Sequence, residues 1–233
     1  MTQDLHSHTY FSACGADDPE LLILKAIESG IDVFGISDHN YGIGDKKRRY
    51  FSLLTELQQK YSGKIRLFRG IEIATVNGLC LAPEEDISYF DYCLVEHIDR
   101  PDSCVGGENI ISFSKRCGCP TGIAHTDLFS YLERKGSDPD AYFAGLAENG
   151  IFWEMNVNYD SVHGYREHPY VQTFLNSREQ QKLVKNAGVC LSVGFDSHRR
   201  GEYRKERVKQ MCDFLDNLGI PLFIPEKDIV FKK

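Results

Sequence analysis

His6 and His8 stand two apart in the segment DLHSHTYFSACG, residues 4–15, and Cys14 follows them. Residues i and i+2 of a strand share a face, so two imidazoles at this spacing can grip one metal ion. The same pair also suits ordinary surface histidines, and the rest of the chain has to decide. Further on stand Asp38 and His39, Glu72, His97, His125, Glu154 and Asn156, then Asp196 and His198. Imidazole and carboxylate donors together suit zinc, iron or manganese. Glu72 is a candidate bridge, because a carboxylate has two oxygens and can serve two ions. Asp4 and Asp38 read as carboxylates that orient neighbouring imidazoles.

The elements that must position these side chains alternate along the chain. Short apolar runs read as strands: QDLHSH, DVFGIS (32–37), IRLFRGIEI (65–73), DYCLVEH (91–97), TGIAH (121–125), GIFWEMNV (150–157) and GVCLSVGF (188–195). Between them lie stretches with helical periodicity. PELLILKAIESG opens with Pro19 behind Asp18, an N-cap and first-turn signal, and ends at Gly30. KKRRYFSLLTELQQKY, DPDAYFAGLAENG, YVQTFLNSREQQKLVKNAG and YRKERVKQMCDFLDNLG read as helices as well. Strand and helix alternating in this way imply parallel βα units, closed into a barrel or, as the alternative, opened as a doubly wound sheet. The segment 74–90 is an added hairpin or loop. Each strand run has its metal-ligand or carboxylate chemistry at its C-terminal end, and a parallel barrel gathers all those ends on one face. Six of the eight histidines fall there. That convergence predicts a multinuclear metal centre.

At 233 residues the chain suits one domain, 1–233, with a full core. A net charge of −7 argues against broad binding to nucleic acid or anionic membrane. No apolar run reaches the length of a membrane span, and no export signal precedes His6, so the expected location is cytoplasmic. The eight cysteines are accordingly expected as thiols. Cys80, Cys93, Cys117, Cys119, Cys190 and Cys212 read as core or loop residues.

Taken in order, HSHTYFSACG, GISDHN, GIEI, VEHI, IAHTD, EMNVNY and VGFDSHR resemble the motifs of the PHP (polymerase and histidinol phosphatase) family over residues 4–200. The resemblance implies a distorted seven-stranded (β/α)7 TIM-like barrel with a trinuclear centre that hydrolyses phosphoesters. Carried over by position, His6, His8, Glu72 and Asp196 hold one ion. Glu72, His97 and His125 hold a second, and His39, His198 and Cys14 a third. Cys14 departs from the histidine common in phosphatase relatives, but a thiolate is a sound zinc ligand. Glu154 is not expected to be a ligand. The implied cofactor is two to three divalent transition metal ions, zinc first, with iron or manganese as alternatives. Three such ions, offset by Glu72, Asp196 and the Cys14 thiolate, leave the site at roughly +3, which draws in phosphate.

The expected reaction is attack of a metal-activated water on a small phosphomonoester. Glu72, Asp196 and His198 are the expected catalytic residues. Arg166, Arg199 and Arg200 are candidates to orient the phosphate, and the loop 157–169 to select the substrate. His163 and His168 in that loop read as surface residues. A nuclease or nucleotide phosphodiesterase of the same family, and a non-catalytic metal-binding module, are the rival expectations. Long nucleic acid is an unfavoured partner.

Overall fold

The computed structural model describes residues 1–158 and 168–225. Seven strands, β1 (Gln3–Asp4), β2 (Val33–Ile36), β3 (Arg66–Ile73), β4 (Tyr92–Val95), β5 (Thr121–Ile123), β6 (Phe152–Asn156) and β7 (Leu191–Gly194), form one sheet in sequence order. Every neighbouring pair is parallel. The sheet curls until β1 meets β7. Leu5 N–H donates to Val193 O at 2.9 Å and Asp196 N–H to His6 O at 2.8 Å. Lower on the same seam, the chain at 221–223 pairs with β7: Phe223 N–H donates to Leu191 O at 2.8 Å. The Gln3 side-chain amide donates to Phe223 O at 2.6 Å. The result is a nearly closed barrel rather than an open sheet.

Period-2 alternation sorts the strand side chains. Leu5, Val33, Tyr92, Leu94, Ala124, Phe152 and Phe223 fill the barrel interior, while the larger cluster lies between strands and helices. The interior is narrow, and glycine makes the space for its largest side chains. A Cβ at Gly35 would lie 2.1 Å from the Tyr92 hydroxyl, and one at Gly70 2.3 Å from its ring.

Nine helices flank the described strands: α1 (Pro19–Glu28), α2 (Asn40–Ile43), α3 (Lys47–Tyr61), α4 (Ile110–Cys117), α5 (Leu128–Lys135), α6 (Pro139–Glu148), α7 (Pro169–Asn176), α8 (Arg178–Ala187) and α9 (Lys205–Leu218). Asp18 caps α1, accepting from Glu20 N–H at 2.8 Å, as the Asp-Pro signal predicts. The stretch expected as one helix over 170–188 is two. Ser177 is extended there, ends α7, and accepts from Gln180 N–H to cap α8. Helices α4 and α5 were not predicted; each spans only eight residues, too short for a clear 3.6-residue period. No helix among the described residues is long and apolar enough to cross a membrane.

The segment 74–90 is a loop, with Leu81, Ile87 and Phe90 buried. The expectation of eight free thiols is corrected here. Cys80 of this loop is joined to Cys104 of the β4–α4 connection in a disulfide, with a Cα separation of 6.4 Å. Cys93, Cys117, Cys119 and Cys212 are buried thiols, as expected.

Candidate metal centre

The C-terminal ends of the strands open into a pocket of about 400 Å³ lined by His8, His39, Glu72, His97, His125, Asp196 and His198 among others. Every expected ligand is in one assembly. His6 Nε2 lies 3.0 Å from His8 Nε2, 3.2 Å from Glu72 Oε1 and 3.6 Å from Asp196 Oδ1. His8 Nε2 lies 3.3 Å from Glu72 Oε2 and 3.1 Å from Asp196 Oδ1. Four tetrahedral donors with bonds of about 2.1 Å stand about 3.4 Å apart, so these spacings fit the edges of one coordination shell. Glu72 reaches on to His125 Nε2 at 3.2 Å and to His39 Nδ1 at 2.9 Å. Cys14 sits with His8, His39 and His198, their donor atoms within 4.8 Å of one another.

Electrostatics point the same way. Burial disfavours charge on Glu72, yet His6 and His39 hold its carboxyl well below the usual range. Burial opposes charge on Asp196 too, and His6 and His8 overcome it. Burial opposes protonation of His6 as well, but Glu154 and Glu72 push it well up. His125 rises to about 9 against burial because Glu72 faces it, while burial and the charge on His39 lower His8 to about 3. Protons shared in this way occupy the positions that a cation takes over on binding. Three buried donors, His39 Nδ1, Glu72 Oε2 and Asp196 Oδ1, have no well-aligned hydrogen-bond partner. The residues therefore fit divalent ions.

Local structure aims the ligands. His97 and Asp196 take left-handed backbone, φ 63° and 54°, which is rare for residues with a Cβ and concentrates at functional sites. Asp38 does not touch an imidazole. It accepts from Thr9 N–H at 2.6 Å and from the Ser12 hydroxyl at 2.6 Å, and Ser12 Oγ lies 3.1 Å from His8 Nδ1. It thus orients His8 through Ser12. Asp4 likewise binds backbone, accepting from His6 N–H at 3.1 Å and Phe195 N–H at 3.0 Å across the β1–β7 seam. The carboxylate that orients an imidazole directly is Glu154, whose Oε1 is 2.7 Å from His6 Nδ1.

Arg199 lies outside the pocket wall. After His198 the chain is tied to residues 16–17, with Ala16 N–H on His198 O at 3.0 Å and Arg200 N–H on Asp17 at 2.7 Å. Arg199 is exposed and is not among the residues lining the pocket; among the described residues the arginine there is Arg100. Arg166 and His163, with most of the 157–169 loop, lie outside the described residues. His168 is not a surface residue. It lines the pocket, its ring stacked 5.9 Å from His125, and burial lowers it to about 4. Sequence reasoning also missed Glu96, which is 5% exposed and 3.0 Å from His97 Nε2.

Fold and site together define a metal-dependent phosphoester hydrolase built on a parallel barrel. The sequence matches the family model of the PHP domain over residues 4–216, and the chain belongs to that family. Among solved structures it is similar to histidinol phosphate phosphatase of Lactococcus lactis subsp. lactis Il1403, complexed with zinc, L-histidinol and phosphate: 16% identity, 95% of each chain covered, TM-score 0.68. A candidate histidinol phosphatase of Listeria monocytogenes has 15% identity over 86% of this chain and 96% of its own, TM-score 0.58. A chain of archaeal ribonuclease P with mature tRNA shares the fold at 14% identity, 99% coverage of each chain and TM-score 0.50. No curated protein matches the sequence.

Proposed function

We propose that the protein is a phosphomonoesterase of the histidinol-phosphatase type, acting on a small phosphorylated metabolite with two to three zinc ions, or iron or manganese in their place. The observation that carries this reading is the forked position of Glu72, within 3.3 Å of His6, His8, His39 and His125. His6, His8, Glu72 and Asp196 hold the first ion. Glu72, His97 and His125 hold the second, and Cys14, His39 and His198 the third. Bound there, the ions supply charge stabilisation for the phosphoryl group and lower the pKa of water.

Glu72 and Asp196 supply the anionic donors that face the imidazoles, whose protons a bound cation would displace, and Glu154 fixes the His6 tautomer with Nε2 free. Arg100, beside the ligands in the pocket, joins Arg166 and Arg199 as a candidate for the phosphate-facing role. Tyr41, Val76 and Leu79 give the pocket an apolar side for the organic part of the substrate. The net charge of −7 and a pocket of about 400 Å³ favour a small ester over a polynucleotide. The test is elemental analysis of protein purified without chelator, followed by L-histidinol phosphate, nucleotides and short oligonucleotides assayed side by side. Bound metal and faster cleavage of a small phosphomonoester support the proposal. A metal-free protein that gains none on addition, or degradation of oligonucleotides with no phosphatase activity, overturns it.

A further inference from the structure

Glu96 is absent from the ligand set that the PHP resemblance carries over, yet it sits at the centre of the site. It continues the inward face of β4, on which Tyr92 and Leu94 fill the barrel interior. Its backbone N–H donates to Ile73 O at 3.1 Å, and its carbonyl accepts from the Thr75 hydroxyl at 2.7 Å. Both peptide groups are thus pinned. Strand alternation would aim the next residue, His97, away from the interior. The left-handed turn at His97 cancels that alternation, so two consecutive side chains line one pocket.

The two oxygens of Glu96 face different donors. Oε1 is 3.3 Å from His39 Nδ1. Oε2 is 3.0 Å from His97 Nε2 and 3.7 Å from His125 Nε2. Glu72 forks in the same manner, Oε1 towards His6 and His125 and Oε2 towards His39. Glu96 also belongs to two separate groups of candidate donors, one with His97 and His125 and one with His39 and Glu72. We propose that Glu96 is a second bridging carboxylate. One oxygen completes the ion site of His97 and His125, and the other reaches the ion held at His39 beside Glu72. A fourth anionic ligand brings the loaded site from roughly +3 to roughly +2. The inference rests on the multinuclear centre of the proposed function.

The alternative is that Glu96 only positions the His97 ring by a hydrogen bond. Glu96→Gln separates the two, because an amide of the same length still accepts a hydrogen bond but does not bridge two cations as an anion. Zinc is counted by elemental analysis and its affinity measured by competition with a chromophoric chelator. The bridging role predicts that Glu96→Gln holds at least one zinc ion fewer than the unsubstituted protein at saturating zinc, whereas a positioning role weakens binding but leaves the count unchanged. Equal zinc counts overturn the bridge, whatever the affinity, and leave the proposed function standing. No zinc on the unsubstituted protein overturns both. Circular dichroism in chelator establishes that the variant folds. Should Glu96→Gln fail to fold, Glu96→Asp takes its place: the charge is kept, but the shorter side chain does not span both donors. The same loss of zinc is then expected, and an unchanged zinc count overturns the bridge.

Discussion

Glu154→Gln leaves the size of a buried side chain unchanged and is expected to weaken metal binding 10- to 100-fold, about 1.4–2.8 kcal/mol. Three donors converge on the Glu154 carboxylate. His6 Nδ1 lies 2.7 Å from Oε1, His125 N–H donates to Oε2 at 2.8 Å, and the Asn156 amide donates to Oε2 at 3.4 Å. An ionised carboxylate only accepts, so it satisfies all of them. An amide has one acceptor and one donor end, and neither orientation suits the site. With its oxygen towards His6, its NH2 faces the buried N–H of His125, at a cost of about 1–3 kcal/mol. Reversed, its NH2 faces His6 Nδ1 and drives the imidazole proton to Nε2, the nitrogen that must bind the metal. The assay is zinc affinity by chelator competition, with melting in excess chelator as the control for folding. A folded variant with zinc affinity within threefold of the unsubstituted protein would refute the reasoning. Gly194→Ala is the steric counterpart, since its Cβ would fall 2.0 Å from Glu154 Oε1 and 2.6 Å from His6 Cβ. It should weaken zinc binding in the same direction.

Glu72→Gln should reduce kcat/KM by well over tenfold with the fold retained; a smaller loss, under about 1.4 kcal/mol, would contradict its bridging role. Cys14→Ser should shed about one zinc ion and much of the activity, whereas a space-filling thiol at position 14 would leave both intact. Chelation should lower the melting temperature, because ions at a hundred times their Kd stabilise by about 2.7 kcal/mol, equivalent to roughly 5–10 °C for a domain of this size. Calorimetry with and without chelator measures it, and coincident transitions would argue against a resident metal. Alkylation of unfolded, unreduced protein should modify six cysteines rather than eight if Cys80 and Cys104 are paired, as read by intact mass. Glu108 tests acid stability: the Tyr131 hydroxyl, its own backbone N–H and Lys135 hold it at about 2, below the ordinary 4.5. The native state then binds fewer protons than the unfolded one. Its contribution is complete above about pH 4.5 and is lost as pH falls through 2, so Glu108→Gln should flatten that limb of an acid-denaturation curve.

The parallel sheet was legible because each strand run is bounded by titratable residues at the same end, and parallel pairing brings such ends together; its closure into a barrel shows only in the contacts of β1 with β7. The convergence of its candidate ligands was legible for the same reason. Glu96 was not, since period-2 reasoning grants one of two neighbours a place in the site, and a positive φ at His97 is invisible in the letters VEH. Glu154 was recognisable as part of the sixth-strand motif, but its role depends on Gly194 leaving room for its carboxylate. Arg100 and His168 reach the pocket from loops, where no periodicity constrains direction. The Cys80–Cys104 pairing is a matter of loop geometry across 24 residues, which spacing alone does not give. The break at Ser177 lay inside an unbroken amphipathic pattern and surfaced only as an extended backbone.

The seam between the first and last strands has a consequence in time. His6 and His8 leave the ribosome some 190 residues ahead of Asp196 and His198, which complete their clusters. At 5–20 residues per second that interval is about 10–40 s. The strand pairings from β1 to β6 are available during it, each between segments adjacent in sequence. The proposed first ion site lacks Asp196 until β7 has emerged and paired with β1. During that interval the nascent chain holds an imidazole pair and a carboxylate that make only part of that coordination shell, while Glu72, His97 and His125 of the proposed second site are already in hand, so the two sites would load in order, the second before the first.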